Sequence, residues 1–321
     1  MAKSGDVPFT VDLHMRLLLS IDRGHNVRRA VSAAIRPGAR VLDAGTGSGL
    51  LSFVALAAGA GEVVGIDRHH VDVARALAAH NGFADRMTVV EADLAGLELP
   101  GVDLSRKFDV LLAFIHVNNP LIDEDRARLV YEVRDRFGTS DCTVLPNRVR
   151  YRVAGCDRLD WDLFTELSDL QESAGILHSV YGLDFQPLVD AAKQTVARAG
   201  SRPASAVLPQ WRSPTTMASL RFPREDVRLL TDNHDFVTFD YGAPAFTGFP
   251  PQVRLRIATP GRLSGVIWTQ ELICDGQPVW TTESFSPLAT ARTVAAGDEV
   301  VLDADDEWRA TNVLRSHHQP M

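Results

Sequence analysis

The chain has 321 residues, enough for two domains with separate cores or for one large domain. Hydrophobic residues make up 45% and charged residues 23%, the balance of an ordinary globular protein, and no apolar run is long enough to span a bilayer, so no membrane partner is expected. The formal net charge of −8 argues against nonspecific nucleic-acid binding, which needs a basic surface.

Three scattered cysteines, Cys142, Cys156 and Cys274, form no CxxC pair, so neither a disulfide framework nor a zinc site is indicated. The N-terminus lacks the apolar stretch of a signal peptide, and a reduced, cytoplasmic protein is expected.

The first half alternates helix and strand signals. Val11, Met15, Leu18, Val27, Ala30 and Val31 have helical spacing, and a short strand follows at Arg40 to Asp43. A glycine loop leads into an apolar helix from about Leu50, then a strand at Val63 to Asp67. Val71, Ala74, Leu77 and Ala78 share a helix face that Asn81-Gly82 ends. Strands at Met87 to Val90 and Phe108 to Phe114 precede a helix over 124–137. Such alternation predicts a parallel, Rossmann-like sheet covered by helices, over residues 1–145.

After Pro146 the pattern changes. Alternating segments at Val149 to Val153, Val237 to Phe239, Val253 to Ile257, Val266 to Ile273 and Val300 to Leu302 predict an antiparallel β-domain over 146–321. Asp275-Gly276 and Gly297-Asp298 read as hairpin turns, and a helical stretch interrupts the strands from about Trp161 to Ala199. The residues around His317 read as a loose tail.

Val41-Leu42-Asp43-Ala44-Gly45-Thr46-Gly47-Ser48-Gly49 carries the main chemical signal. A buried strand enters a turn with glycines at Gly45, Gly47 and Gly49, and a helix follows. Glycine permits positive φ and close approach of a ligand to the backbone. A dinucleotide site uses a related turn, but GxGxG preceded by Asp43 suits S-adenosylmethionine, which brings an amino group and a carboxylate and no pyrophosphate. Asp67, at the end of the second strand, can accept from both ribose hydroxyls or cap the next helix. Asp93, ending the third strand, can accept from the adenine amino group beside the Leu94 backbone, or serve only as a turn residue.

Further segments occur in a recognisable order: His14-x-x-Leu17-Leu18 with Arg23 after it, Val144-Leu145-Pro146-Asn147-Arg148, Val180-Tyr181-Gly182-Leu183-Asp184, and Ser286-Pro287-Leu288-Ala289-Thr290-Ala291. With the glycine loop, these make the chain resemble the protein arginine methyltransferases. The resemblance implies a Rossmann-like S-adenosylmethionine domain, an antiparallel β-barrel, a cis proline at Pro146, and a homodimer through a helical arm at about 182–205. It also implies that Arg23 pairs with the cofactor carboxylate, as a guanidinium is suited to do.

The departures bear on the acceptor. The family grips a guanidinium with two glutamates in the loop after the fourth strand. Here that loop reads Ala113-Phe114-Ile115-His116-Val117-Asn118-Asn119-Pro120-Leu121-Ile122-Asp123-Glu124. Phe114 or Ile115 fills the first glutamate position, and Asp123 or Glu124 the second, unless these two only decorate a helix start. Ser286 to Ala291 lacks the histidine and tryptophan of the family's Thr-His-Trp loop. Losing the first carboxylate predicts a divergent branch with another acceptor: a carboxylate on a peptide or small natural product. His116, Asn118 and Asn119 would supply donors, and His116 would be a base if the acceptor were a hydroxyl. The alternatives are N-methylation of a guanidine or amine using Asp123 or Glu124, or a non-catalytic cofactor-binding scaffold.

Overall fold

The computed structural model describes residues 21–69, 71–96, 99–118, 120–158, 227–303 and 310–314, with Gln186 and Asp190. The His14 to Leu18 pattern, Val180 to Asp184, Asn119 and the tail at His317 lie outside the described residues. So does the helical arm, except that the Gln186 amide donates to the Asp190 carboxylate at 2.7 Å.

The first sheet is built from β1 (Arg40–Ala44), β2 (Glu62–Asp67), β3 (Met87–Glu91), β4 (Phe108–Leu112) and β5 (Gly138–Leu145). All pairings are parallel, in the order β3-β2-β1-β4-β5. β1 lies at the centre with all five residues buried, as expected of a strand covered on both faces. The chain runs to one side of β1 through β2 and β3, then crosses to the other side at β4. The crevice beyond the carboxyl ends of β1 and β4 is therefore the point where this topology places ligands.

Helices α1 (Ile21–Ala34), α2 (Leu50–Ala57), α3 (Val71–His80) and α4 (Pro120–Phe137) flank the sheet. α1 buries Val27 and Val31, with Ile35 just beyond it, one turn apart on one stripe. Arg36-Pro37-Gly38 ends it, because Pro37 offers no amide and disfavours helical φ/ψ at Arg36. α4 starts at Pro120, four residues before the predicted helix; a proline fits the first helical position, where no amide partner is needed. β4 stops at Leu112, two residues short of the expected Phe114, and so frees the segment 113–118.

The parallel sheet ends at Leu145, the Leu145–Pro146 peptide is cis, and the antiparallel half begins with β6 (Arg148–Arg158). β7 (Val227–Leu229) and β8 (His234–Asp240) pair with one edge of β6, and β10 (Gly261–Cys274) pairs with the other. β11 (Gln277–Val294) returns along β10 from the Asp275-Gly276 turn. β9 (Gln252–Arg256), β12 (Glu299–Asp303) and β13 (Ala310–Leu314) form a second antiparallel sheet. β5, β7, β11 and β13 were not apparent in the sequence. In β11 the run Trp280-Thr281-Thr282-Glu283-Ser284 is too polar to read as a buried strand. The stretch Ser286 to Ala291 lies in β11 as an irregularity: β10 advances from Leu263 to Gly265 while β11 advances from Arg292 back to Pro287.

α4 joins the two halves. Tyr131 Oη donates to the Asp240 carbonyl at 2.7 Å, and Arg134 donates to the carbonyls of Tyr241 at 2.7 Å and Ala243 at 2.6 Å. Among the described residues, no helix is long and apolar enough to cross a membrane.

Candidate active site

The glycine loop leaves β1 with φ of 76° at Gly45, 53° at Gly47 and 87° at Gly49. These left-handed angles are nearly free for glycine and strained for other residues. A Cβ on Gly45 would lie 2.6 Å from Ile115 Cγ2, so the loop after β1 rests directly on the segment after β4. The loop is stitched to β2, because the Gly45 and Thr46 amides both donate to the Ile66 carbonyl at 2.9 Å.

Two carboxylates hold this loop. Asp43, buried in β1, accepts at Oδ2 from Thr46 Oγ1 at 2.9 Å and Ser52 Oγ at 2.7 Å, tying the loop to α2. Burial pushes its carboxyl up to about 6, although the two hydroxyl bonds pull the other way. Asp67, at the carboxyl end of β2, accepts the Gly47 amide at 2.8 Å and the His69 amide at 3.2 Å, and it remains partly open to solvent. A carboxylate fixed at the glycine loop with solvent access is suited to accept ribose hydroxyls. Asp93 is exposed; its Oδ1 accepts the Ala95 amide at 3.0 Å and caps the short 3₁₀ turn Leu94–Gly96, with Arg68 at 3.9 Å. That is the turn role the sequence left open.

Arg23 projects from the first turn of α1 and is 7% exposed. Its guanidinium lies 4.4 Å from the centre of the Trp280 ring on β11. Its Nε has no hydrogen-bond partner, and burial lowers its pKa to about 10, so it stays cationic at neutral pH. A buried guanidinium of this kind fits an anionic ligand group.

The segment after β4 converges with the antiparallel half. Asp123, in the first turn of α4, is 0% exposed. It accepts the Val117 amide at 3.0 and 3.1 Å, Gln270 Nε2 of β10 at 2.8 Å, and the Tyr151 hydroxyl of β6. Thr282 of β11 extends the chain by donating to Gln270 Oε1 at 3.4 Å. Glu124 is not brought to this cluster; one position along the helix, it pairs with Arg128 at 2.6 Å on the helix surface. Arg126 donates to the Ile115 carbonyl and fixes the segment's path.

His116 is 4% exposed, and its Nε2 lies 2.8 Å from the Tyr241 hydroxyl. Burial drives its pKa down to about 4, against the opposing pull of Asp123, so the ring is neutral near pH 7. Its Nδ1 has no partner. Asn118 is 2% exposed, has φ of 58°, and neither end of its side-chain amide has a partner; Ser284 of β11 donates to its carbonyl at 3.5 Å. Buried polar groups are rarely left unmatched, which marks these two as ligand-facing candidates. Phe114 and Ile115 are half-buried and pack on the core.

Tyr151, Gln270, Tyr241 and Trp280 were not foreseen. The usable signal was a polar or amphipathic residue at an inward position of an apolar strand, as with Gln270 between Trp268 and Leu272 on one face of β10.

A family model for ribosomal protein L11 methyltransferase (PrmA) matches residues 28–124. Protein arginine N-methyltransferase 1 of Schizosaccharomyces pombe is 28% identical over 149 residues, covering 46% of this chain and 40% of that protein. Arginine N(omega)-methyltransferase of Streptomyces achromogenes subsp. streptozoticus is 33% identical over 139 residues, covering 43% of this chain and 38% of that protein. These matches thus span less than half the length of those relatives. Among solved structures, the Trypanosoma brucei PRMT1 enzyme-prozyme heterotetrameric complex with AdoHcy aligns with a TM-score of 0.59 at 20% identity, covering 92% of this chain and 86% of that one. Arabidopsis thaliana protein arginine methyltransferase 10 aligns with a TM-score of 0.58 at 19% identity, covering 90% and 85%. The chain therefore has the two-part fold of the protein arginine methyltransferases, with its sequence likeness to them concentrated in less than half of its length.

Proposed function

We propose that the chain is an S-adenosylmethionine-dependent methyltransferase acting on a nitrogen of a guanidino or amino group, carried by a peptide or small molecule. The observation that supports the acceptor most is Asp123, a fully buried carboxylate where the loop after β4 meets the antiparallel half. The relatives named for arginine N-methylation support the same acceptor, and the Streptomyces relative, named for arginine without the word protein, favours a small one.

In this reading Asp67 takes the ribose hydroxyls, Arg23 the cofactor carboxylate, and the glycine loop allows close approach of the backbone. The bound cofactor supplies an electrophilic methyl group on a sulfonium. Asp123 offsets the positive charge of the acceptor. Tyr151 and Gln270, both donating to Oδ2, fix the direction of its carboxylate. Asn118 Oδ1 and His116 Nδ1, neutral acceptors, take the place of the missing first carboxylate and receive acceptor N–H groups. For His116 this requires the tautomer that donates from Nε2 to the Tyr241 hydroxyl.

A carboxylate acceptor, expected from the altered loops, has less support. His116 is neutral and brings no positive charge, and Asp123 would repel a second carboxylate in a buried site. The donor end of the Asn118 amide, and His116 in the tautomer that carries its proton on Nδ1, are the features that would suit it. The heterotetrameric relative supports self-association of this chain, here taken as a homodimer and checked by light scattering.

The test uses S-adenosylmethionine labelled with tritium in the methyl group, with L-arginine, agmatine and arginine peptides as acceptors. An alkali-stable labelled product is expected. Label released as methanol in mild alkali would move the acceptor to a carboxylate. Label absent from every acceptor, with cofactor binding intact, would favour a scaffold.

A further inference from the structure

We propose that Trp280, on the antiparallel half, is a positioning residue for cofactor binding: its indole face holds the Arg23 guanidinium in the direction of the cofactor carboxylate. The inference rests on the reading that Arg23 binds that carboxylate. The two residues are far apart in sequence and come from opposite halves of the fold, α1 and β11. The guanidinium carbon lies 4.4 Å from the ring centre, inside the range where a cation is attracted to an aromatic face. That attraction strengthens as water is excluded, and Arg23 is only 7% exposed.

Trp280 is well placed to act as a fixed plate. It pairs with Leu272 across the β10–β11 ladder, beside a bulge at Leu272/Ile273 and a few residues from the Asp275-Gly276 turn, so its backbone is held in the sheet at that bulge. Its ring packs on the main core. An arginine side chain has many rotamers, and ordering it costs binding energy. A stacking face that orders it before the ligand arrives removes that cost, which is preorganisation in its simplest form. The Nε, which has no hydrogen-bond partner, is then left available to a ligand. By this route the antiparallel half, which among the described residues gives the glycine loop no hydrogen bond, still governs one end of the cofactor.

The proposal separates from a purely structural role by ligand choice. S-adenosylhomocysteine carries the carboxylate that Arg23 would bind; 5′-methylthioadenosine keeps the nucleoside and lacks the amino-acid portion. Calorimetric titration of both ligands is run on the wild type and on Trp280→Ala, Trp280→Phe, Arg23→Ala and the Trp280→Ala/Arg23→Ala double variant. Trp280→Ala should weaken S-adenosylhomocysteine about tenfold, within the range of a desolvated cation–π contact, and leave 5′-methylthioadenosine unchanged. Trp280→Phe should keep most of the affinity, and the double variant should bind no more weakly than Arg23→Ala alone. Equal weakening of both ligands, or wild-type binding of S-adenosylhomocysteine by Trp280→Ala, overturns the proposal. Wild-type binding by Arg23→Ala overturns the carboxylate reading itself, and the inference with it. If Trp280→Ala does not fold, Trp280→Leu, with apolar bulk and no aromatic face, carries the same comparison against Trp280→Phe.

Discussion

The two loops at the carboxyl edge of the parallel sheet touch at Gly45 and Ile115, yet they are finished to different degrees. In the loop after β1, the key side chains are satisfied from within the first half: Asp43 by Thr46 and Ser52, Asp67 by Gly47 and His69. In the segment after β4, Asp123 depends on Tyr151 and Gln270 from the other half, while His116 Nδ1 and the Asn118 amide have no partners. The first loop is a self-held cradle. The second is completed partly by the antiparallel half and, on the present reading, partly by the acceptor. Cofactor binding should therefore survive changes that abolish acceptor binding.

The largest expected effect lies where the halves meet. Asp123→Ala would remove the acceptor of the Val117 amide and of the buried Tyr151 hydroxyl and leave the Gln270 amide with Tyr151 alone, at a cost of about 3 kcal/mol or more in stability. Asp123→Asn should cost less stability and still abolish methyl transfer, while S-adenosylhomocysteine affinity stays within about threefold of wild type, a change of under 1 kcal/mol. Thermal unfolding and calorimetry check both. Loss of cofactor binding in Asp123→Asn would erase the distinction between the loops.

Gly45→Val comes next and acts on the contact between the loops. It forces a β-branched residue into φ of 76° and drives a side chain into Ile115. A reduction of about a hundredfold or more in S-adenosylhomocysteine affinity is expected, some 3 kcal/mol. Near-wild-type affinity would mean that the loop is not shaped by ligand approach.

The pH dependence sharpens the comparison because the two loops pull in opposite directions. The Asp43 carboxyl is raised in the fold, so its contribution to stability is present below about pH 4 and is lost as pH rises to about 6. The His116 ring is depressed in the fold, so its contribution is present above about pH 6.5 and is lost as pH falls towards 4. Each is worth on the order of 3 kcal/mol across that window. In thermal unfolding from pH 4 to 6.5, Asp43→Asn should gain on the wild type as pH rises. His116→Gln should gain on it as pH falls. Parallel pH trends in the two variants would contradict the assignments.

The smallest effect concerns catalysis. A histidine with a pKa of about 4 is a weak base, so the pH–rate profile should show no limb near pH 6.5 that His116→Gln removes. Such a limb would restore His116 as a base for a hydroxyl acceptor.

The same contrast explains what the sequence revealed. The cradle is local: Asp43, Gly45, Gly47, Gly49 and Asp67 lie within one strand–loop–helix–strand unit, and their spacing alone places them together. The acceptor side is assembled across the fold. Asp123 meets Gln270 across 147 positions, and His116 meets Tyr241 across 125. Those meetings depend on the registers of β10 and β8 on β6, which no local pattern announces. Glu124 and Asp123 were equal candidates by composition. Only the helix phase, which turns Asp123 inward and Glu124 towards Arg128, distinguishes them.

Calorimetric titration of S-adenosylhomocysteine into the wild type and Asp67→Ala tests the cradle most directly. The wild type should bind at one site per chain without any acceptor present. Asp67→Ala should bind at least about a hundredfold more weakly, since it loses the ribose acceptors and the Gly47 bond together. Absence of binding by the wild type, or equal affinity in the variant, would contradict a cofactor cradle held at Asp67.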